Sequence, residues 1–437
     1  MISAENLNLD VLGLIFDSLT TNDLCSLALV SQTFFSAVLP RLYSKLFFRN
    51  EQASCYPEVI SPFTIILAHP EYATHVRAID IRAIPKVKPR LLIGFRKECI
   101  EAMHLCTNLV SFKCTVKVSH LLPLLENKSN LREIMIPASL TTEQANNLLL
   151  LDTLQHVFLC DANWKVTDVL PKWSGVLSAT LTTLTLYMCQ FLNGPVLESV
   201  IVHLPRLTGL HIVRCQNVTA TLLLRLLTHL PLLESFAMST SDQQINIPPV
   251  ITSLRHLRFL ALDIYDTTSY SALPSLSSTM RFLKETQSHL SSFCIRRTSI
   301  LEWSSIEETL NYHGSTLENL SFLWCKIDLK SITAICNKCP NLTHLELPFP
   351  MTQFMDFVIA IKRLPSLCVL INTRKSADSK YHLMRHHVLP LVSVCPSLKY
   401  IISDNREWTR GYDPYGRITI ELKKHRPKEN LWFMPHK

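Results

Sequence analysis

Few side chains in this sequence combine in patterns that could do chemistry. Cys336 and Cys339, in CNKC, have the spacing used by zinc and redox sites. A zinc site needs a second cysteine pair or histidines at matching spacing, and none follows closely. His382 and His386 are four residues apart, as in a zinc-binding helix, but no glutamate general base lies between them in the HExxH pattern. Core cysteines and ordinary surface histidines are therefore the expected interpretation.

The sequence motifs of common enzymes are also missing. There is no GxSxG, no phosphate-binding loop and no dinucleotide-binding fingerprint, and only eight glycines are present. Catalytic residues contributed by distant segments would leave no such motif. We predict no catalytic residue, no metal ion and no cofactor, and a protein that is not an enzyme.

The composition favours a folded intracellular protein. Apolar residues make up 47% of the chain and charged residues 18%, with no apolar run of the roughly 20 residues that span a bilayer. The opening MISAENLNLD has no positive cluster before its apolar stretch, unlike a secretory signal. The fourteen cysteines are scattered, as expected of free thiols in a reducing compartment. We expect no membrane partner and a cytoplasmic and/or nuclear location.

The net charge of +8 includes a basic cluster near the end of the chain. Lys423, Lys424, Arg426 and Lys428 could touch nucleic acid or form a nuclear address, but a solvated tail is the simpler interpretation. Nucleic acid is not the expected partner.

A short phrase recurs along most of the chain: a leucine or valine, with apolar residues three and five positions later in most copies. Thirteen copies lie about 27 residues apart, a period typical of repeat proteins. Their leading residues are Val76, Leu109, Leu131, Leu154, Leu181, Leu207, Leu233, Leu257, Leu290, Leu317, Leu342, Leu367 and Leu398.

The phrase and the segments between its copies predict a strand–turn–helix unit. Residues three and five positions after the leader share one side of a strand. Residues 354–364 have helical apolar spacing, Asp328 can cap a helix, and Pro195 suits a first helical turn. Since one unit cannot bury its apolar face alone, stacked units predict an α/β fold, with a curved parallel sheet inside and helices outside.

This pattern resembles a leucine-rich-repeat solenoid, of about 12–13 repeats over residues 73–405. Cys189, Cys215 and Cys325 lie eight residues after a leader, where such repeats carry Asn or Cys. The intervals from Leu257 to Leu290 and from Leu367 to Leu398 span 33 and 31 residues, more than the mean of about 27. They are binding loops, or else longer helices or surface loops.

The first 50 residues have a different pattern. Apolar residues at 12, 15, 16 and 19 form one helix face, Thr21 or Asn22 can cap a second helix, and Phe34 lies in a third. Three such short helices cannot enclose a full core, so exposed apolar side chains are expected to meet a partner.

The segment from Leu7 to Val38 resembles an F-box. The residues that match the family pattern are Leu7, Asp10, Val11, Leu12, Asp23, Leu24, Val30, Ser31 and Phe34. Asn8 stands where the family usually has a proline that helps contact the adaptor. The predicted organisation is an F-box at 1–48, a linker at 49–72, the repeats, and a C-terminal cap and basic tail at 406–437.

The resemblance implies a non-catalytic substrate receptor of an SCF-type ubiquitin ligase. The F-box would dock on a Skp-type adaptor and through it a cullin, while the repeats would hold an unknown substrate protein. The expected adaptor-binding residues are Leu7, Asn8, Leu9, Val11, Leu12, Ile15, Phe16, Leu24, Leu27, Val30 and Phe34. The alternative is a repeat scaffold or inhibitor without a ligase role, in which this segment only caps the array.

Side chains two, four and six positions after each leader should point to the concave face of the sheet. The expected substrate-binding residues are Thr185, Tyr187, His211, Asp263, Arg296, Asn319, Ser321, His344, Glu346, Tyr400 and Asp404. Their mixed charges suggest a protein ligand rather than nucleic acid. Trp408 and Arg410, beyond the last phrase, form a closing cap or a contact patch.

Overall fold

The computed structural model describes residues 8–117, 119–241, 245–247, 253–265, 274–298, 301, 303–373 and 382–425. The chain divides into two compact units, Met1–Phe191 and Leu192–Lys437. Each unit is built of alternating strands and helices.

The first unit begins with three short helices, which are followed by a strand. Its α-helices are α1 (Leu9–Phe16), α2 (Thr21–Ala28), α3 (Gln32–Leu42), α4 (Asn50–Ser54), α5 (Pro62–Ala68), α6 (Pro89–Leu105), α7 (Thr142–Asn147) and α8 (Trp164–Val176). Its strands are β1 (Lys45–Phe48), β2 (Ala78–Ile81), β3 (Ser111–Cys114), β4 (Glu133–Pro137), β5 (His156–Cys160) and β6 (Thr183–Tyr187). Short 3-10 segments lie at Pro70–His75, Ser119–Leu125 and Leu148–Leu150.

Strands β1 to β6 pair in parallel, in chain order. Their register places the apolar residues three positions after each phrase leader side by side across the sheet. These aligned and buried residues are Ile79, Phe112, Ile134, Val157 and Leu184. The predicted strands and their register are therefore present in this unit, and β1 adds a strand that the phrase did not indicate.

The expected linker at 49–72 is instead part of the folded unit. It contains α4 and α5, and the Phe63 and Ile66 side chains are fully buried. The Phe63 ring packs against Phe48 and Phe95, with ring centroids 6.3 and 6.0 Å away. The expectation of a linker is wrong because these apolar side chains complete the core under the first strands.

The second unit continues the same alternation. Its α-helices are α9 (Gly194–Ile201), α10 (Ala220–Leu226), α11 (Pro274–Glu285), α12 (Trp303–His313), α13 (Leu329–Lys338), α14 (Phe354–Ile361) and α15 (Arg385–Val394). Its strands are β7 (Gly209–Val213), β8 (Ser235–Ser241), β9 (Phe259–Tyr265), β10 (Ser292–Arg296), β11 (Asn319–Leu323), β12 (His344–Leu347), β13 (Val369–Asn372), β14 (Tyr400–Ser403), β15 (Arg406–Tyr412) and β16 (Ile418–Lys424). Further 3-10 segments lie at Leu227–His229 and Met351–Gln353.

Strands β7 to β14 are parallel and in chain order, and β15 and β16 close the unit as an antiparallel hairpin. The register again aligns the second residue of each phrase. The aligned residues, all buried, are Leu210, Phe236, Leu260, Phe293, Leu320, Leu345, Leu370 and Ile401. The two predicted helix starts hold as well, because Asp328 caps α13 and Pro195 lies in the first turn of α9.

The hairpin after Asp404 supports the interpretation as a cap. Trp408 is buried and pairs with Ile401 of β14, and Arg410 Nη1 donates to the carbonyls of Cys395 and Pro396 at 3.3 and 2.5 Å. Lys423 and Lys424 belong to β16, while Arg426 and Lys428 lie outside the described residues.

The turn that follows several strands has a common geometry. Cys189, Cys215 and Cys325 are buried there, as predicted. The Cys325 thiol, which follows β11, lies 3.8 Å from the Ile295 carbonyl of the neighbouring strand β10. The residue before each of these cysteines has a positive φ, between 58° and 63°. The two longer intervals are covered in part by α11 and α15, whereas residues 266–273 and 374–381 lie outside the described part of the chain.

The buried imidazole of His313 gives a testable pH dependence of stability. Its Nδ1 accepts the backbone N–H of Leu290 at 3.3 Å, and burial, with a smaller contribution from His289, lowers the His313 pKa to about 4. The unfolded chain takes up this proton near pH 6.5, so the stabilising contribution is complete above that pH and is lost toward pH 4.

We expect the free energy of unfolding to fall by about 2 kcal/mol between pH 7.5 and pH 5 through this residue. Urea denaturation at both pH values should show a smaller decrease in His313→Gln than in the unaltered chain. His229→Gln, at an exposed position, serves as the control. Equal decreases in all three proteins would contradict the assignment.

Candidate functional site

The first three helices enclose a small core of their own. Leu12, Phe16 and Leu24 are buried in it together with Val38 of α3. The Phe16 and Phe34 rings meet edge to face, with centroids 5.6 Å apart. The core is therefore made by the apolar residues of the motif itself.

This burial corrects part of the expected adaptor-binding set. Leu12, Phe16 and Leu24 do not offer their side chains to a partner, since each is covered by the other helices. Leu27 and Phe34 are partly buried against the same core. Leu7 lies outside the described residues.

Polar residues of the motif start the three helices. Asn8 caps α1 by accepting the Asp10 N–H at 3.2 Å, and Ser31 caps α3 by accepting the Phe34 N–H at 3.2 Å. Thr20, rather than the expected Thr21 or Asn22, caps α2 in a reciprocal capping box with Asp23. The two hydrogen bonds from Thr20 lower the pKa of Asp23. Asn8 thus supplies a cap acceptor that the usual proline lacks.

Six other apolar residues of the segment face solvent. Val11, Leu14 and Ile15 share one face of α1, away from Leu12 and Phe16. Leu29 and Val30 lie in the turn between α2 and α3. The exposed fractions are 72% for Leu14, 89% for Leu29 and 63% for Val30, and Leu9 is about half exposed. We call these six residues, Leu9, Val11, Leu14, Ile15, Leu29 and Val30, the F-box surface.

Leu14 and Leu29 were not in the predicted set. Both are apolar residues that the family pattern does not specify. Leu14 lies two residues from both Leu12 and Phe16, so helical spacing could have placed it on the side of α1 opposite the core. Leu29 directly follows α2, where no periodicity singles it out.

The three-helix segment is fastened directly to the strands that follow it. The Tyr72 ring, in the segment Pro70–His75, lies 4.6 Å from the Tyr43 ring and 6.3 Å from the Phe35 ring of α3. Strand β1 begins two residues after Tyr43 and pairs with β2. The F-box surface is thereby held in a fixed position relative to the first strands.

The sheet face opposite the core carries the second predicted set, but most of that set is buried. Polar side chains of this face satisfy one another: His211 Nε2 lies 2.9 Å from Ser235 Oγ on the neighbouring strand, and His344 Nε2 lies 2.8 Å from Glu346 Oε1 on the same strand. The buried members are Thr185, His211, Asp263, Arg296, Ser321 and Glu346, and for these six the expectation of a solvent-facing contact is corrected.

The other predicted residues of this face reach solvent. Tyr187, Asn319 and His344 are half-buried, as is Asp404, whereas Tyr400 is exposed. Exposure and burial thus divide the predicted substrate-binding set into a polar inner layer and a few accessible side chains.

The cysteine pair of CNKC has no sign of reactivity. Cys336 and Cys339 are free and buried, and this burial raises the pKa of each thiol to about 12. Within the described ranges, no group of three or more His, Cys, Asp and Glu residues could hold a metal ion. His386 and His387 lie side by side on the surface, with their Nε2 atoms 3.1 Å apart.

No described helix combines the length and the apolar character needed to cross a membrane.

Comparison with known proteins identifies the N-terminal segment. Residues 5–40 match the family model of the F-box domain, so this part of the chain is an F-box domain. No curated protein is a detectable relative of the chain. Among solved structures, a crystal structure of the Rad7–Elc1 complex from yeast is similar at 14% sequence identity, with a TM-score of 0.42, over 91% of this chain and 93% of that chain.

Burial should protect the CNKC cysteines from alkylation. Because only about one thiol in 10,000 is ionised at pH 8 when its pKa is about 12, we expect Cys336 and Cys339 to react with iodoacetamide only after unfolding. The exposed Cys25 and Cys55 should react in the folded protein. Peptide mapping by mass spectrometry, with urea-unfolded protein as the control, checks this, and rapid labelling of Cys336 would contradict it.

Proposed function

We propose that the protein is a non-catalytic substrate-recognition subunit of an SCF-type ubiquitin ligase. A Skp-type adaptor, and through it a cullin, would bind the F-box domain, while the sheets of the two units would bind a substrate protein. The observation that carries the proposal is the F-box surface, six apolar side chains that remain exposed beside a closed core.

The F-box surface is suited to binding a partner protein rather than to solvent exposure. Each apolar side chain left in water forgoes about 25 cal/mol per Å² of burial. Because Leu12, Phe16 and Leu24 already complete the small core, the six exposed residues have no role in folding it. A helical partner that covers Val11, Leu14 and Ile15 of α1 would recover that free energy.

We also propose that the strand–helix units form leucine-rich-repeat arrays. The thirteen phrases coincide with strands β2 to β14, and buried cysteines occupy the expected turn position after β6, β7 and β11. Such arrays bind proteins across several neighbouring strands.

The role in ubiquitin transfer would be one of positioning. A receptor that holds the adaptor at one site and the substrate at another raises the effective concentration of the substrate near the ubiquitin-carrying enzyme. The ring contacts of Tyr72 with Tyr43 and Phe35 favour this role, since they fix the F-box domain against the first strands. No catalytic residue of this chain takes part.

Charged substitutions on the F-box surface test the proposal. We expect Leu14→Asp with Val30→Asp to weaken binding of a Skp-type adaptor at least about 100-fold, because two carboxylates would be buried in an apolar interface. The full chain is co-expressed with the adaptor, and the affinity is measured by calorimetry. Circular dichroism verifies that the variant is folded.

A matched control places the same charges on exposed apolar positions of the second unit. Val202→Asp with Ile359→Asp should bind the adaptor within about twofold of the unaltered chain, since both side chains are exposed and lie far from the F-box domain in the sequence. An unaltered chain that does not bind the adaptor would overturn the proposal. A repeat scaffold or inhibitor without a ligase role would then remain.

A further inference from the structure

The second unit carries a cluster of charged and aromatic residues at the carboxyl ends of β7 to β11. At its centre, the buried Asp263 carboxylate accepts two hydrogen bonds from Arg296, from Nε at 2.7 Å and from Nη2 at 2.6 Å. It also accepts Arg214 Nε at 3.1 Å and Ser239 Oγ at 3.2 Å. Oδ1 thus accepts one hydrogen bond and Oδ2 accepts three.

Arg214 is held in place by hydrogen bonds from its backbone N–H and its Nε, while its Nη groups remain open. Its backbone N–H donates to Ser239 Oγ at 2.8 Å, and its Nε donates to Asp263. Within the part of the chain that the structure describes, neither Nη atom of Arg214 has a hydrogen bond. A guanidinium held by Nε, with both Nη groups open, is preorganised to bind a carboxylate or phosphate through two parallel hydrogen bonds.

The accessible charge of the cluster favours an anion. The Arg296 guanidinium is buried, whereas the half-exposed Arg214 guanidinium carries its positive charge at the surface. An acidic ligand group at Arg214 would pair with this charge through the open Nη groups.

Two aromatic residues lie beside the Asp263–Arg296 ion pair. The Arg296 guanidinium lies 4.9 Å from the centroid of the Trp324 ring, and Tyr265 lies on the same sheet face as Asp263, one pleat further along β9. The exposed fractions are 43% for the Arg214 side chain, 51% for Tyr265 and 44% for Trp324. Exposed Tyr, Trp and Arg beside a buried polar anchor are typical of the residues that dominate protein interfaces.

The backbone explains why Arg214 and Trp324 project together. Both occupy the turn position seven residues after a phrase leader, and both have left-handed backbone angles, with φ of 58° and 63°. That conformation turns the side chain out of the regular strand alternation, at the end of the strand. The same repeat position thus places a cation and an indole beside one ion pair.

We propose that Arg214, Tyr265 and Trp324 bind an acidic segment of the substrate protein, with a carboxylate or phosphate group held by the Nη atoms of Arg214. That this ligand is a ubiquitylation substrate rests on the function proposed above. The recognition itself depends only on the cluster.

Binding of defined peptides to the full chain tests the proposal. Three fluorescein-labelled peptides of about 12 residues share a Gly-Ser background and carry glutamates, phosphoserines or lysines. We expect the acidic peptides to bind at least about tenfold more tightly than the lysine peptide, measured by fluorescence anisotropy. Tighter binding of the phosphoserine peptide would identify phosphate as the source, and equal binding of both acidic peptides would identify the carboxylate.

Matched variants locate the binding. Arg214→Gln should weaken binding of the acidic peptides at least about tenfold, because it removes charge-assisted hydrogen bonds. Arg225→Gln, which removes one charge from an exposed arginine of α10, should leave the affinity within about twofold. Trp324→Ala should also weaken binding, whereas Trp164→Ala, at an exposed tryptophan of the first unit, should not.

Several outcomes would overturn the proposal. These are no binding of the acidic peptides up to about 1 mM, equal loss in Arg214→Gln and Arg225→Gln, and tighter binding of a single-stranded oligonucleotide than of either acidic peptide. Adaptor binding by Arg214→Gln separates the two proposals. If this variant binds the adaptor but the acidic peptides do not bind the unaltered chain, only the present inference fails. If peptides bind and the adaptor does not, only the ligase role fails.

Discussion

The row of apolar side chains beneath the parallel strands is the constraint on which each unit depends. Phe112, Ile134 and Val157 in the first unit, and Phe293, Leu320 and Leu345 in the second, stand side by side in the register and are buried. One strand and one helix cannot remove such residues from water, but a neighbour on each side can. Stability therefore comes from the alignment of successive strands, and the period of about 27 residues between the sequence phrases fits that requirement.

The opposite face of the strands does not pack against the helices, and it carries polar side chains. In the second unit, pairs such as His211 with Ser235 and Arg296 with Asp263 satisfy one another across strands. A polar group buried without a partner costs free energy, so residues buried on this face are matched by neighbours and serve as supports. The accessible side chains are those at strand ends and turns, such as Arg214 and Trp324. Recognition is thus expected at the ends of the strands more than along their middle.

The F-box domain divides its residues by a similar logic. Asn8, Thr20 with Asp23, and Ser31 satisfy the first N–H groups of three short helices, while Leu12, Phe16 and Leu24 close the core. Once the helix starts and the core are satisfied, the apolar residues left on α1 and in the turn before α3 stay exposed in the described part of the domain. Tyr72 then holds this domain against the first strands, so that the F-box domain and β1 to β6 belong to one folded unit.

The sequence by itself determined the repeating strands, their register and the three-helix opening. These follow from local spacing: period two in the strands, three to four in the helices, and a regular distance between phrases. It also indicated the turn cysteines, Asp328 as the cap of α13 and Pro195 in the first turn of α9. Only the tertiary structure decided which motif residues are core and which are surface. Leu12 and Ile15 have similar chemistry and sit on neighbouring faces of one helix, and the position of α3 buries the first and leaves the second exposed. The tertiary structure likewise buries Phe63 and Ile66 of the segment that was expected to be a linker. It also brings Arg214 and Arg296, which are three strands apart, to the same Asp263 carboxylate. Such contacts join residues far apart in the chain, and no local periodicity encodes them.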